Sequence, residues 1–252
     1  PLPVAYILLS YRRGPWPLTT RWAQWLLLMG LSLMFAVLLL TKSRGGYAAA
    51  ASAILIVFWF SRHRILALVL TLLTVASGLW LFLAAEQQAP MLVGELADPS
   101  TLAFRQQVWR IASWMISDFP FTGVGMGTFN EVALRLYPFP AVSDPGAHNL
   151  YLQVGVDLGI PGLIAFFAIV LLTLIMSIFS IRQSDDQRDS FLRALAVGLL
   201  AGVMAFLLHG LLDITVWGTR VSFLPWLLIS LVTGVHLFLK KAQSQAKVRS
   251  PA

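Results

Sequence analysis

The chain reads as an all-α, polytopic transmembrane protein, and three observations predict this. Only 12% of its 252 residues are charged while 58% are hydrophobic, about half the charged fraction of an ordinary soluble domain. The charges are spaced so that six stretches contain no Asp, Glu, Lys or Arg, each close to the roughly 20 residues a helix needs to cross a bilayer. Lys and Arg are also divided unevenly among the connecting segments, as in proteins oriented by the positive-inside rule. A water-soluble globule is excluded.

The first apolar stretch, 2–11, is too short to span and ends in Arg12-Arg13. No basic region precedes it, so it is read as the end of a helix that begins outside this sequence rather than as a signal peptide. The chain is therefore expected to be a fragment lacking its N-terminal portion. The six uncharged stretches follow at 22–41, 46–61, 65–85, 161–181, 194–212 and 221–239, and each is predicted to span. The second is short and, with Gly45 just before it, rich in small residues (Gly46, Ala48, Ala49, Ala50, Ala51, Ala53), which suits close approach of another helix.

If the segment after the truncated helix is cytoplasmic, twelve basic residues lie inside: Arg12, Arg13, Arg21, Arg62, Arg64, Arg182, Arg188, Arg193, Lys240, Lys241, Lys247 and Arg249. Six remain outside: Lys42, Arg44, Arg105, Arg110, Arg135 and Arg220. This bias puts the one long polar segment, 86–160, on the outer face. Three parts are expected: 1–85, a truncated helix and three spans; 86–160, an extracytoplasmic catalytic loop; 161–252, three spans and a basic cytoplasmic tail. The net charge of +7 is then a topology signal, and no Lys/Arg-dense block of the kind that binds nucleic acid is present. The absence of cysteine removes disulfides, thiolate metal sites, iron–sulfur clusters and a Cys nucleophile.

Within the outer loop, Asp98-Pro99-Ser100-Thr101 signals a helix start with a capping Asp and an early Pro, and a helix is predicted over 102–117. Phe104, Val108, Ile111 and Met115 form one apolar stripe on it, to be laid on the membrane interface or against the bundle. Arg105 and Trp109 share a face, from which Arg110 is turned away. These arginines suit lipid headgroups as well as a substrate. Next, Gly123, Gly125 and Gly127 alternate in a short run ending at Phe129; such a run makes a tight turn or aims backbone N–H groups at an anion, and its spacing is not that of a dinucleotide-binding loop. After an Asp144-Pro145-Gly146 turn signal comes His148, the loop's one histidine, a structural residue or a candidate base. The loop acids Glu86, Glu95, Asp98, Asp118, Glu131, Asp144 and Asp157 include no Asp-x-Asp and no carboxylate at ligand spacing from a histidine, so no metal site is predicted. His209 and Asp213, four apart near the outer end of a span, read as a mutually satisfied pair or a functional one.

Ser43-Arg44-Gly45 at the outer end of a span, Arg105 four before Trp109, the Gly123/Gly125/Gly127 run, His148-Asn149-Leu150-Tyr151 and Gly159-Ile160-Pro161-Gly162 carry a resemblance. In this order and spacing they are similar to motifs of the O-antigen ligase and polymerase superfamily, over nearly all of the chain and corresponding to that family's C-terminal half. The resemblance implies a GT-C-like glycosyltransferase of the bacterial inner membrane, working at its periplasmic face. It would move a glycan, with inversion, from undecaprenyl pyrophosphate to a hydroxyl of lipid A-core, of another glycan or of a protein, using no nucleotide sugar, metal or other cofactor.

Carried over residue by residue, Arg105 takes the loop-arginine position and would stabilise the pyrophosphate leaving group. Arg44 would contact the same pyrophosphate or anchor to headgroups. His148 would be the general base, with Asn149 and Tyr151 shaping the site and Gly123, Gly125 and Gly127 lining it. Arg110 matches no motif firmly and is kept as a substrate-binding candidate. Polyhelical architecture alone would also suit a transporter or permease. That reading calls for charges or broken helices at mid-membrane; the six stretches hold no charge, and Pro225 lies near a helix end.

Overall fold

A computed structural model of the chain describes residues 21–41, 43–60, 65, 69, 102–137, 146–186, 190–214 and 217–249. Among these there are seven helices and no strand: α1 (Arg21–Leu40), α2 (Arg44–Trp59), α3 (Leu102–Asp118), α4 (Phe129–Leu136), α5 (Leu150–Asp186), α6 (Ser190–His209) and α7 (Phe223–Arg249). Three stretches are long and apolar enough to cross a membrane, Leu150–Ser184, Phe191–His209 and Phe223–Gln245, with shorter apolar helices at Leu28–Leu40 and Gly45–Trp59. They fall on the uncharged stretches at 161–181, 194–212, 221–239, 22–41 and 46–61. The stretch at 65–85, apart from Ile65 and Val69, lies outside the described residues, as do 2–11, Asp98-Pro99 and Asp144-Pro145. Large apolar side chains stand exposed on these helices, Trp22 at 82%, Leu33 at 65% and Ile164 at 64%, a surface suited to lipid and not to water.

The described residues fall into two compact units. One comprises 21–60, 171–208 and 224–249, less the undescribed positions. Its α2 begins where Ser43 Oγ accepts the Gly46 N–H at 3.0 Å, a helix N-cap. The Tyr47 hydroxyl donates to the Leu39 carbonyl at 2.8 Å, bracing the start of α2 to the end of α1. At the other end, Arg193 Nη2 donates to the Phe60 carbonyl at 3.1 Å, placing a cation where the helix dipole is negative. Ile181, Ala196, Val197 and Leu200 make this unit's core, with Ile56, Val57 and Met204 against it. Ser177, Ser180 and Ser184 are buried in α5, and each hydroxyl donates to the carbonyl four residues back, which satisfies a polar group within its own helix.

The second unit comprises 102–137, 146–170 and 209–223, again less the undescribed positions. The α3 stripe predicted from spacing is its core: Phe104, Val108, Ile111, Ala112 and Met115 meet Phe129 and Ala133 of α4, Ala147, and Val156 of α5. Of the two partners open to that stripe from the sequence, membrane interface or neighbouring helices, packing takes it. At about 1.5–3 kcal/mol for each large apolar side chain buried, the stripe is a major stabilising element of this unit.

Helix α5 is broken at Gly159, whose φ of 68° and ψ of −174° are not helical. The break is sharp. Tyr151 and Phe167, eight residues either side of it, stack with centroids 5.6 Å apart and planes 2° from parallel; in a straight helix they would be separated by about 24 Å. A Cβ on Gly155 would lie 2.8 Å from Ile116 Cδ1, so the absence of a side chain there lets α3 pack closely on the leg 150–158. The leg 160–186 contains the predicted span, and the leg 150–158 folds back beside its start.

Candidate active site

The break at Gly159 exposes backbone groups, and the glycine loop answers them. Residue 160 would ordinarily donate to the Val156 carbonyl, and Pro161 has no N–H to offer Asp157. Instead Val124 N–H donates to the Val156 carbonyl at 2.8 Å, Gly125 N–H to the Asp157 carbonyl at 3.2 Å, and Ile160 N–H to the Pro120 carbonyl at 2.7 Å. Gly123, Gly125 and Gly127 all have positive φ (63°, 97° and 77°), a region that glycine enters without steric cost. A Cβ on Gly123 would lie 2.5 Å from the Asp157 carbonyl carbon and oxygen, so no other residue fits the clasp. Gly123 N–H is also engaged, by the Phe119 carbonyl at 3.0 Å. The amides of Gly123 and Gly125 thus serve the turn, whereas a Cβ on Gly127 would meet nothing within 4 Å.

The segment that carries His148 is held from several sides. Its φ of 47° is the one positive value among the described non-glycine residues, a strained conformation that persists only where the surroundings enforce it. On one side Gln153 Oε1 accepts the Ala147 N–H at 2.7 Å. On the other, Asn149 Nδ2 donates to the Leu211 carbonyl at 3.0 Å, and Leu150 N–H donates to the Gly210 carbonyl at 2.7 Å. Asn149 Oδ1 accepts the N–H groups of Tyr151 and Leu152, both at 3.0 Å, making Asn149 the N-cap of α5. The His148 ring is 8% exposed and meets Phe104 edge-on, centroids 6.0 Å apart.

That contact brings the His148 segment against α3 one residue from Arg105. Arg105 is half-buried, and its Nε, like Trp109 Nε1, is a buried donor with no acceptor among the described residues. The two are four apart and share a face of α3. Arg110 is exposed, and Arg135, also exposed, pairs with Glu131 at 2.7 Å. Arg44 opens α2 in the other unit; its side chain lies outside the described residues. Tyr151 stands in an aromatic group with Phe166, Phe167 and Trp217. His209 Nε2 and Asp213 Oδ2 are 3.9 Å apart, while Asp213 Oδ1 accepts the Ile214 N–H at 2.7 Å.

A family model described as O-antigen ligase matches residues 29–167. The chain belongs to the O-antigen ligase family. No curated protein is found to match it. The family match runs from α1 to the second leg of α5 and takes in Arg105, the glycine loop and His148. With its membrane-crossing helices, this member is a membrane protein of the O-antigen ligase and polymerase type, a glycosyltransferase class.

Next to the His148 segment lie three residues that the sequence does not single out as site candidates; of them only Asp157 figures there, as one of the loop acids without metal-ligand spacing. Asp157 is 2% and Gln153 4% exposed; Gln153 Nε2 donates to Asp157 Oδ1 at 2.8 Å, and Trp217 Nε1 donates to Asp157 Oδ2 at 2.8 Å. Gln153 and Asp157 are four apart between apolar neighbours, a signal legible in principle; nothing local marks Trp217. Away from these, Tyr137 donates its hydroxyl to Asp118 Oδ2 at 2.6 Å and stacks on Trp114. Burial first, then the hydrogen bond to Asp118 and its charge, push the Tyr137 phenol up to about 12.

Proposed function

We propose that the protein is an inverting, GT-C-type transferase that moves a glycan from undecaprenyl pyrophosphate to an acceptor hydroxyl at the periplasmic face of the inner membrane. In the reaction the acceptor oxygen attacks the anomeric carbon and its proton passes to His148. The bond from that carbon to the pyrophosphate oxygen breaks, leaving the electron pair on the carrier pyrophosphate. Charge grows on that leaving group, so a fixed guanidinium beside it lowers the barrier; Arg105 takes this role.

The reading is carried by the contact of His148 with Phe104, next in sequence to Arg105, on touching elements of one compact unit. The shared face of Arg105 and Trp109, with buried donors that lack acceptors among the described residues, suits an anionic oxygen. Asn149 and Tyr151 shape the site through the cap and the aromatic group, Gly123, Gly125 and Gly127 frame its floor, and Arg110 offers an outer charge. For Arg44 the proposal of a second pyrophosphate contact rests on the resemblance alone.

Complementation tests it. The full-length protein expressed in a strain lacking its ligase or polymerase should restore long glycan chains on a gel, and Arg105→Ala and His148→Ala should each reduce them to a faint residue. Full activity of both variants would overturn the site assignment.

A further inference from the structure

A carboxylate almost wholly removed from water is costly unless its oxygens are bonded, and Asp157 has both bonded. We infer that Asp157 and Gln153 are positioning residues that hold His148 in its working conformation; the inference rests on the proposed role of His148 as base. The direction of the hydrogen bonds carries it. Ala147 N–H can only donate, so Gln153 must turn its oxygen toward it. That leaves the Gln153 amide nitrogen, a donor, to face Asp157 Oδ1, which accepts it. The Trp217 indole N–H, a donor alone, fills Oδ2. Each group in the chain Trp217–Asp157–Gln153–Ala147 thus fixes the orientation of the next, and the last is the backbone amide immediately before His148.

The bonds at Ala147, Asn149 and Leu150 pin both sides of a residue whose φ is 47°. Without the Gln153 bond the strained turn has one anchored side, and the imidazole is free to leave the geometry that proton transfer needs. Asp157→Asn is the sharpest probe. It keeps shape and volume, but its amide offers one accepting oxygen to two donors, so either Trp217 or Gln153 meets an N–H instead of an acceptor.

The test uses full-length protein in proteoliposomes with a lipid-linked glycan donor and a defined acceptor. Asp157→Asn and Gln153→Leu should lower kcat about tenfold or more while leaving the donor KM within about twofold, and should speed hydrogen exchange of the peptide covering 146–149. In a His148→Ala background the same changes should lower the residual rate no further, because their effect passes through that ring. A full additional loss in that background, or unchanged kcat with unchanged exchange, overturns the inference. Should Gln153→Leu fail to fold, Asp157→Asn carries the test. If His148→Ala alone retains full activity, the base assignment has failed, and exchange at 146–149 still decides whether Asp157 and Gln153 hold the turn.

Discussion

Arg105 and Lys carry the same charge but not the same geometry. A guanidinium presents a planar fork to two oxygens at once and an ammonium a single point. If Arg105 neutralises a pyrophosphate as the glycosidic bond breaks, Arg105→Lys should fall by about 10²- to 10³-fold in rate, the usual loss on removing a fitted donor at a developing charge. A lysine variant that transfers glycan at the parental rate would show that bulk charge suffices. Tyr137 permits a second prediction. Burial and the Asp118 carboxylate push its phenol up to about 12 from an ordinary 10.0, so above pH 10 the unfolded chain ionises first. Its contribution to stability is therefore complete below about pH 10 and is lost as pH rises toward 12. Tyr137→Phe should remove one step near pH 12 from the ultraviolet tyrosinate titration and flatten the alkaline decline in melting temperature. A full step retained in the variant would assign that titration to another tyrosine.

At the level of elements, the break in α5 and the glycine loop form one device. Gly123→Ala puts a methyl 2.5 Å from the Asp157 backbone at a positive φ, whereas Gly127→Ala meets open space and incurs only the backbone strain of its φ of 77°, on the order of 1 kcal/mol. Thermal unfolding in detergent should therefore rank Gly123→Ala well below Gly127→Ala, and equal losses would mean that the clasp on α5 contributes nothing. The α3 stripe was legible because helical periodicity is local: four apolar residues at spacings of four, three and four need one inward face wherever that face is buried. The task of the glycines was not legible. Which carbonyls need N–H partners is decided by the break at Gly159, over thirty residues away, and a glycine run looks the same beside a phosphate or a broken helix. Asp157 could be read only as one loop acid among seven, its bonding hidden for a similar reason, since its Trp217 partner lies sixty residues on. His148 and Arg105 stood out in the sequence as the loop's one histidine and an arginine on the Trp109 face, but specific roles for them came only from the family motifs; their nearness through Phe104 is tertiary.

Over the whole molecule, the spacing of charges located apolar helices well because the bilayer imposes one length on every crossing. The same spacing could not show that residues 150–158 fold back beside the start of a span, because a broken helix and a straight one have equal hydropathy. Sidedness is the remaining claim, and it rests on twelve basic residues against six. The chain has no cysteine, so a single introduced thiol reports its side of the membrane without background. Glu131 suits the outer position: it is exposed, and its i,i+4 pair with Arg135 is worth only a few tenths of a kcal/mol at a solvated surface, so its loss is tolerated. Ser244, exposed near the end of α7 and just beyond Lys240 and Lys241, suits the inner one. A membrane-impermeant maleimide should label Glu131→Cys in intact spheroplasts and Ser244→Cys only after permeabilisation. The reverse pattern would put α3, the glycine loop and His148 on the cytoplasmic face, away from the proposed lipid-linked donor, and the proposal of glycan transfer by this site would fail with the orientation.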